Sequence, residues 1–377
     1  MISARGVTRA AAVAAVVLAV SASAALSAVQ YTVTDLGTLG GWMSDARGIN
    51  SAGQVVGEFR DDAGDDHAFL WQNGGITDLG TLGGGSYGMQ GVDSARAIND
   101  SRQVVGVAHG ADQVGHAFIW RNGLMSPLGE LPGVSNLVGH IASMANAINS
   151  NGQAAGYASA PAGPGWWRQY PVMWNNGEMV DLSPAFPGGL GTYAEATDIN
   201  DSGQVVGYPL PPPGAHGFLW QNGVVTDLGA LPGGNQSYAF AVNNAGQVVG
   251  YSWAYDGPYH AFLWEDGLMS PLALLPGGSG TIANDINNLG QIVGHDVSHR
   301  AVMWEDGAIS DLNDLIPAGS GWTLRSARGI NDLGQIVGWG IINGNSHAFL
   351  LTPVPEPATL ALLAVGGAAL VAGRKKN

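Results

Sequence analysis

The chain of 377 residues carries a net charge of −15 and contains no cysteine. The first property excludes the basic stripe that grips nucleic acid, and the second removes disulfides, thiolate catalysis and cysteine metal sites together. Glycine accounts for 59 of 377 residues, charged residues for 11% and hydrophobic residues for 46%, a balance that suits many short strands and tight turns rather than helices or disorder.

Residues 1–28 carry Arg5 and Arg9, an apolar run from Ala10 to Val20, and small residues through Ala28. That order predicts a secretory signal peptide, removed by signal peptidase, with small-x-small sites at 22–24 and 25–27. The alternative, an N-terminal anchor, needs about 20 apolar residues, more than this run supplies. Removal takes two of the 14 basic residues and no acidic ones, so the mature balance is 12 minus 29, or −17.

The segment Ile49 to Gly57, INSAGQVVG, returns in six further variants, beginning at Ile98, Ile148, Ile199, Val242, Ile286 and Ile330. Asn, Gln and the last Gly are present in all seven, and the Asn recurs at intervals of 49, 50, 51, 43, 44 and 44 residues. Such a period suits one four-stranded sheet per repeat. Two more motifs alternate with it. One is HAFLW at 67–71 with its relatives at 116–120, 170–174, 216–220, 260–264, 300–304 and 347–351, and the other is DLGTLGG at 35–41, repeated at 78–84 and in five looser copies.

Each repeat reads as four strands: the residues into Ile-Asn, the Gln-Val-Val-Gly segment, HAFLW, and the run into Asp-Leu-Gly. Asn-Gly or Asp-Gly at 73, 122, 176, 222, 266 and 306 predicts a type I′ hairpin between the third and fourth strands. The seventh HAFLW copy has no fourth strand after it, and Tyr31-Thr32-Val33-Thr34-Asp35 is a fourth strand with none before it. The expectation is therefore an all-β, seven-bladed β-propeller over residues 29–353, its ring closed by the N-terminal strand in the last blade. Trp71, Trp120, Trp174, Trp220, Trp264 and Trp304 are expected to fill the gaps between blades, and the Ala four residues before each Asn to sit where nothing larger fits.

The seven-fold motif set resembles the HAF-repeat family of probable extracellular bacterial proteins, named for the His-Ala-Phe that stands here at 67–69, 116–118, 260–262 and 347–349. The likeness covers about residues 31–351 and departs at Tyr170-Pro171-Val172 and Arg300-Ala301-Val302. It implies export and a repeat architecture, and names no ligand. Residues 354–377 hold Pro355-Glu356-Pro357, an apolar run and Arg374-Lys375-Lys376. This tail resembles the PEP-CTERM sorting signal, which implies recognition by an exosortase of a Gram-negative bacterium and delivery to the cell surface or matrix through a short transmembrane segment. An ordinary C-terminal anchor is the alternative, and either reading places 29–353 outside the cytoplasm.

In such a meander the tight turns share one end and the variable loops the other, where ligands are expected. Trp166, Trp167 and Tyr170 in one loop region and Trp253, Tyr255 and Tyr259 in another supply rings that could stack on sugars of an extracellular polysaccharide, or else cap blade edges. Arg47, Arg96 and Arg328 stand three residues before Asn in adjacent repeats, placed either to gather a carboxylate or sulfate at the channel or to form inter-blade ion pairs. Asp61, Asp62, Asp65 and Asp66 have the oxygen chemistry of a Ca²⁺ loop without its spacing, so a solvated acidic loop is the ordinary reading. The regular histidines are expected to bond nearby backbone. With no nucleophile elbow, zinc motif or phosphate loop, the expected function is a non-catalytic adhesion or envelope-interaction module without a cofactor. A polysaccharide-active propeller enzyme, of glycosidase or lyase type, is the alternative.

Overall fold

The computed structural model describes residues 30–85, 93–131, 140–163, 166–186, 193–209, 215–253 and 257–355. The signal-peptide region and residues 356–377 of the tail lie outside them. Among the described residues the regular structure is strand, with two short 3₁₀ turns at Ser183–Ala185 and Leu312–Leu315.

Five four-stranded antiparallel sheets follow the chain in order, and a sixth sheet has eight strands. A single parallel bridge, Met43 with Ser346, joins the two halves of the larger sheet. One half comprises Met43–Ile49, Val55–Arg60, Asp66–Gln72 and Gly75–Asp78. The other comprises Trp322–Ile330, Ile336–Ile342, Asn345–Pro353 and, from the opposite end of the chain, Tyr31–Asp35. The arrangement is all-β and propeller-like. Asp35 takes the place opposite Phe349 that Asp78 takes opposite Phe69 and Asp227 opposite Phe218. His347 therefore meets Asp35 at 2.9 Å much as His216 meets Asp227 at 2.9 Å.

The Asn-Gly and Asp-Gly turns form as their chemistry requires: Asn73 (φ 53°) with Gly74 (φ 79°), through to Asp306 (φ 50°) with Gly307 (φ 76°). A further pair, Asn343-Gly344, turns the second strand of the last repeat into the third, where the first, second and sixth repeats use connections of four or five residues.

The preserved residues of INSAGQVVG each have a mechanical task. Asn50 accepts from the backbone N–H of Ala52 and Gln54, which closes the turn, and its Nδ2 donates to Gln54 Oε1 and to the carbonyl of Asn99 in the next repeat. The same rung runs from Asn99 to Asn149, Asn200, Asn243, Asn287 and Asn331, and Asn331 donates to the carbonyl of Asn50. At the last Gly, a Cβ on Gly57 would lie 2.1 Å from the carbonyl oxygen of Asp45, and one on Gly250 1.9 Å from that of Tyr238. Opposite these glycines stand the seven alanines, all fully buried.

The core is split into clusters between neighbouring sheets rather than gathered in one place. Of the tryptophans expected to fill the gaps, Trp174 and Trp304 are fully buried and donate to the carbonyls of Gly129 and Ala273 in the preceding repeat. Trp71, Trp120, Trp220 and Trp264 are partly buried against the same clusters.

Candidate functional site

Pairing of the first two strands breaks register at the same place in all seven repeats. Ala46 pairs Gly57 and Gly48 pairs Val56, which leaves Arg47 as the extra residue of a β-bulge, and the break recurs at 95/97, 145/147, 196/198, 239/241, 283/285 and 327/329. A bulge re-aims the side chain of the unpaired residue. The seven residues so released are Arg47, Arg96, Asn146, Thr197, Phe240, Asn284 and Arg328, and together with Glu195 they line one cavity of about 240 Å³. A second cavity, of about 230 Å³, lies at the Asn-turn end and is lined by the Asn rungs and their neighbours, including Asp100, Asp201 and Asp332. The bulge cavity lies further along the strands, toward the end that carries the long connections.

Its wall is chemically lopsided. On one arc Arg47 reaches Glu58 at 2.6 Å and Asp45 at 3.4 Å, and Arg328 crosses from the last repeat to Asp45 at 3.0 Å. Burial opposes ionisation of Glu58, but Arg47 and Arg96 outweigh it and bring its pKa down to about 2. Glu195 is held by Asn146 at 2.9 Å and by the hydroxyl of Tyr208 at 3.0 Å. Across the bore lies a run of rings. Tyr208 contacts Tyr238 (4.9 Å between centroids) and Phe240, Tyr238 stacks on Tyr251 (4.8 Å, 10° between planes), and Tyr251 meets Tyr259 at 5.1 Å. Trp253 continues the run, 5.8 Å from Tyr259. His295, buried near Arg328, has its pKa lowered to about 4, so it is neutral at pH 7.

The structure places the residues singled out from sequence as follows. Arg47, Arg96 and Arg328 share the cavity. Trp253 donates its Nε1 to the carbonyl of Gly257, and Tyr259, 37% exposed, bridges that loop to the channel rings. Tyr255 lies outside the described residues. Residues 157–169, expected as a loop, instead extend the hairpin Ala154–Gly163 with Trp166–Asn175, in which Gly163 pairs Trp166 and Ala158 pairs Tyr170. Trp167 packs on Val114 of the preceding repeat and on Ala142 of its own, so it covers an edge. It stands two repeats from Trp253, and the two aromatic regions do not form one site.

The four loop aspartates do not converge. Asp66 holds Arg60 through two bonds of 2.7 and 2.9 Å, and Asp61 accepts from the N–H groups of Ala63 and Asp65 to shape its own loop. Among the described residues no three His, Asp or Glu side chains are gathered as a metal would require. The histidines differ from expectation in their partners. They bond carboxylates rather than backbone: His67 with Asp78 at 3.1 Å, His216 with Asp227, His347 with Asp35, and His116 with Glu130. Where the sixth repeat has Arg300 in place of His, Arg300 approaches Asp311 at 3.6 Å.

Sequence reasoning missed Glu195, Tyr208, Tyr238 and Phe240. For Phe240 the available signal was its position three before Asn, where the chemistry changes from copy to copy; Glu195, Tyr208 and Tyr238 stand at other variable positions and carried no such signal.

The PEP-CTERM protein-sorting motif matches residues 353–376. It implies recognition by an exosortase during export, and a secreted protein held transiently in the membrane before processing. Of the signal residues Pro355 is described, while Glu356, Pro357, Arg374, Lys375 and Lys376 lie outside the described residues. Among the described residues no helix is long and apolar enough to cross a membrane. No curated protein matches the chain. Among solved structures it is similar to the acylaminoacyl peptidase of Pyrococcus horikoshii, with TM-score 0.53, 10% identity, and coverage of 87% of this chain and 54% of that one. It is also similar to TolB from Acinetobacter baumannii (TM-score 0.44, 10% identity, 80% of this chain and 64% of that one). A third likeness is to a fucose-specific lectin from Aleuria aurantia (TM-score 0.32, 12% identity, 87% and 98%). The chain thus spans about half the length of the peptidase and under two thirds of TolB. At these identities the likeness concerns the fold alone.

Proposed function

We propose that the chain is an exported, non-catalytic module of the cell surface or extracellular matrix of a Gram-negative bacterium, a seven-bladed HAF-repeat propeller that binds saccharide of an exopolysaccharide at the bulge cavity. Closure of the ring by the N-terminal strand is part of the reading, and the Asn331-to-Asn50 bond supports it. The observation that carries the functional reading is the lopsided cavity. A pyranose ring offers an apolar face of C–H groups to an aromatic surface and hydroxyls that both donate and accept. Phe240 and its companion rings supply the first partner, and Arg47, Arg328, Asp45 and Glu58 supply the second.

The test is binding of the purified mature protein to a panel of bacterial exopolysaccharides and their oligosaccharides. The expected result is binding that Phe240→Ala weakens at least about tenfold, which corresponds to about 1.4 kcal/mol, with thermal midpoint and cooperativity retained. Binding that ignores Phe240 and is lost on Trp167→Ala would move the site to the edge hairpin. Release of new reducing or unsaturated sugar ends during incubation would favour the enzyme reading.

A further inference from the structure

Four buried polar atoms of the bulge region lack a hydrogen-bond partner: the Nε groups of Arg47, Arg96 and Arg328, and the acceptor Asp45 Oδ1. An unpartnered buried donor or acceptor costs free energy, so a cluster of both kinds around one cavity is built for an occupant that supplies the complements. The three guanidiniums are not equivalent. Those of Arg47 and Arg328 are neutralised by Glu58 and Asp45. Arg96, in the repeat beside them, has no carboxylate within 4 Å among the described residues, and the nearby Glu195 is already occupied by Asn146 and Tyr208. Glu58 and Glu195 act on Arg96 at longer range, so its guanidinium is charge-balanced but makes no direct ion pair among the described residues.

Resting on the saccharide reading above, we infer that the occupant carries a single carboxylate, as a uronic acid unit does, and that Arg96 receives it while the aromatic arc takes the ring face. A guanidinium presents two parallel N–H groups to a carboxylate, a planar match that a neutral hydroxyl cannot make. Arg96 is the one guanidinium of the three without a direct carboxylate contact, so it offers one fork to one carboxylate. A phosphate, with a charge of nearly two, would bring more negative charge beside the lining Glu195 than one free guanidinium can meet. The net charge of −15 on the chain also disfavours a densely charged polyanion, so the acidic group is expected on an otherwise neutral sugar.

The experiment measures affinities of matched pairs at pH 7 on the full mature protein: methyl glucoside against methyl glucuronide, methyl galactoside against methyl galacturonide, and a glucose sulfate ester. At least one uronide is expected to bind about tenfold or more tighter than its neutral partner, as befits a charge-assisted pair, and Arg96→Gln is expected to bring the ratio close to one. Arg96→Lys, which keeps the charge without the fork, should retain only part of the preference. Equal affinity within both pairs, a ratio unchanged in Arg96→Gln, or tighter binding of the sulfate ester would overturn the inference and leave the saccharide reading standing. Binding of no sugar would overturn both. The wild-type ratios decide the matter even if the substituted proteins fail to fold.

Discussion

Asn331 donates from Nδ2 to the backbone carbonyl of Asn50 at 2.9 Å, across 281 residues of chain. The same side chain donates to Gln335 Oε1 and accepts from the N–H groups of Leu333 and Gln335. Asn331→Ala therefore removes the rung and unlocks its turn at once. At about 0.5–1.5 kcal/mol net per buried hydrogen bond, with a carbonyl left unsatisfied, the expected loss is about 2–4 kcal/mol, read as a lowered denaturation midpoint. Asn331→Asp should cost at least as much, because it keeps the acceptor and replaces the donor with a buried charge. A loss below about 0.5 kcal/mol would mean that the rung is not a fastening of the ring.

The N-terminal strand makes a separate and stronger test of closure. Tyr31 is buried to 1% exposure, with its hydroxyl 3.5 Å from the sulfur of Met303. Replacing a large buried ring by alanine costs about 3–5 kcal/mol, so Tyr31→Ala should be among the most damaging single changes near either end of the chain. A protein beginning at residue 37 should unfold at markedly lower denaturant, and a synthetic peptide of residues 30–36 should restore part of the loss by pairing with Asn345–Pro353. An unchanged midpoint after truncation would refute the role of this strand.

Much of this frame is legible in sequence because it rests on local chemistry that repeats. Asn-Gly turns need positive φ at both positions, and Asn73, Asn122, Asn176 and Asn222 take it at 50–54°. The missing fourth strand after His347 and the surplus one at Tyr31 point to each other. The bulge is not legible. A one-residue slip between Ala46 and Gly48 leaves no turn residue or breaker behind, and strict alternation would send Arg47 and Phe240 to the opposite face of the strand. The contact of Tyr208 with Tyr238 is equally hidden, because it forms only when two repeats are brought side by side, whereas Tyr238 and Tyr251 face each other across one hairpin.

The preserved glycine gives a steric prediction. Gly57→Ala would set a methyl group 2.1 Å from the Asp45 carbonyl and 2.9 Å from the ring of Phe69. Neither neighbour is the free end of a flexible side chain, so the strands must part. A destabilisation of about 2 kcal/mol or more is expected, in the range of overpacked cores. Gly64→Ala supplies the contrast, since nothing lies within 4 Å of its Cβ position and its φ of 90° alone carries the cost. Chemical unfolding of the two variants should rank Gly57→Ala as the worse.

Stability should also fall as pH rises through neutrality, because of two aspartates beside the bulge. Asp198 lines the cavity at the Asn-turn end, and both Asp198 and Asp285 are enclosed by protein. Burial raises Asp198 to a pKa of about 6, and burial together with the charge of Asp198 raises Asp285 to about 8. Each carboxyl oxygen also accepts a backbone N–H, from Ile199 and Val242 in one case and Ile286 and Ile330 in the other, and these bonds only partly offset the burial. The folded protein thus holds these protons where the unfolded chain, titrating near 4, has released them, and their contribution is full below about pH 4 and lost as pH rises through 6 and 8. His116, raised to about 9 by its bond to Glu130, adds a loss of the same sign above neutrality. His295, lowered to about 4, acts oppositely, and its contribution is lost as pH falls from 6.5. Within pH 6.5–8 the losses from Asp285 and His116 run together, and substitution of the aspartates separates them. There Asp285→Ala should flatten the decline of the thermal midpoint, and Asp198→Ala, by removing the charge that helps raise Asp285, should make the remaining decline end at lower pH than in the parent protein. A midpoint independent of pH from 6.5 to 8 in the parent protein would show that the bore admits enough water to return both carboxyls to ordinary values.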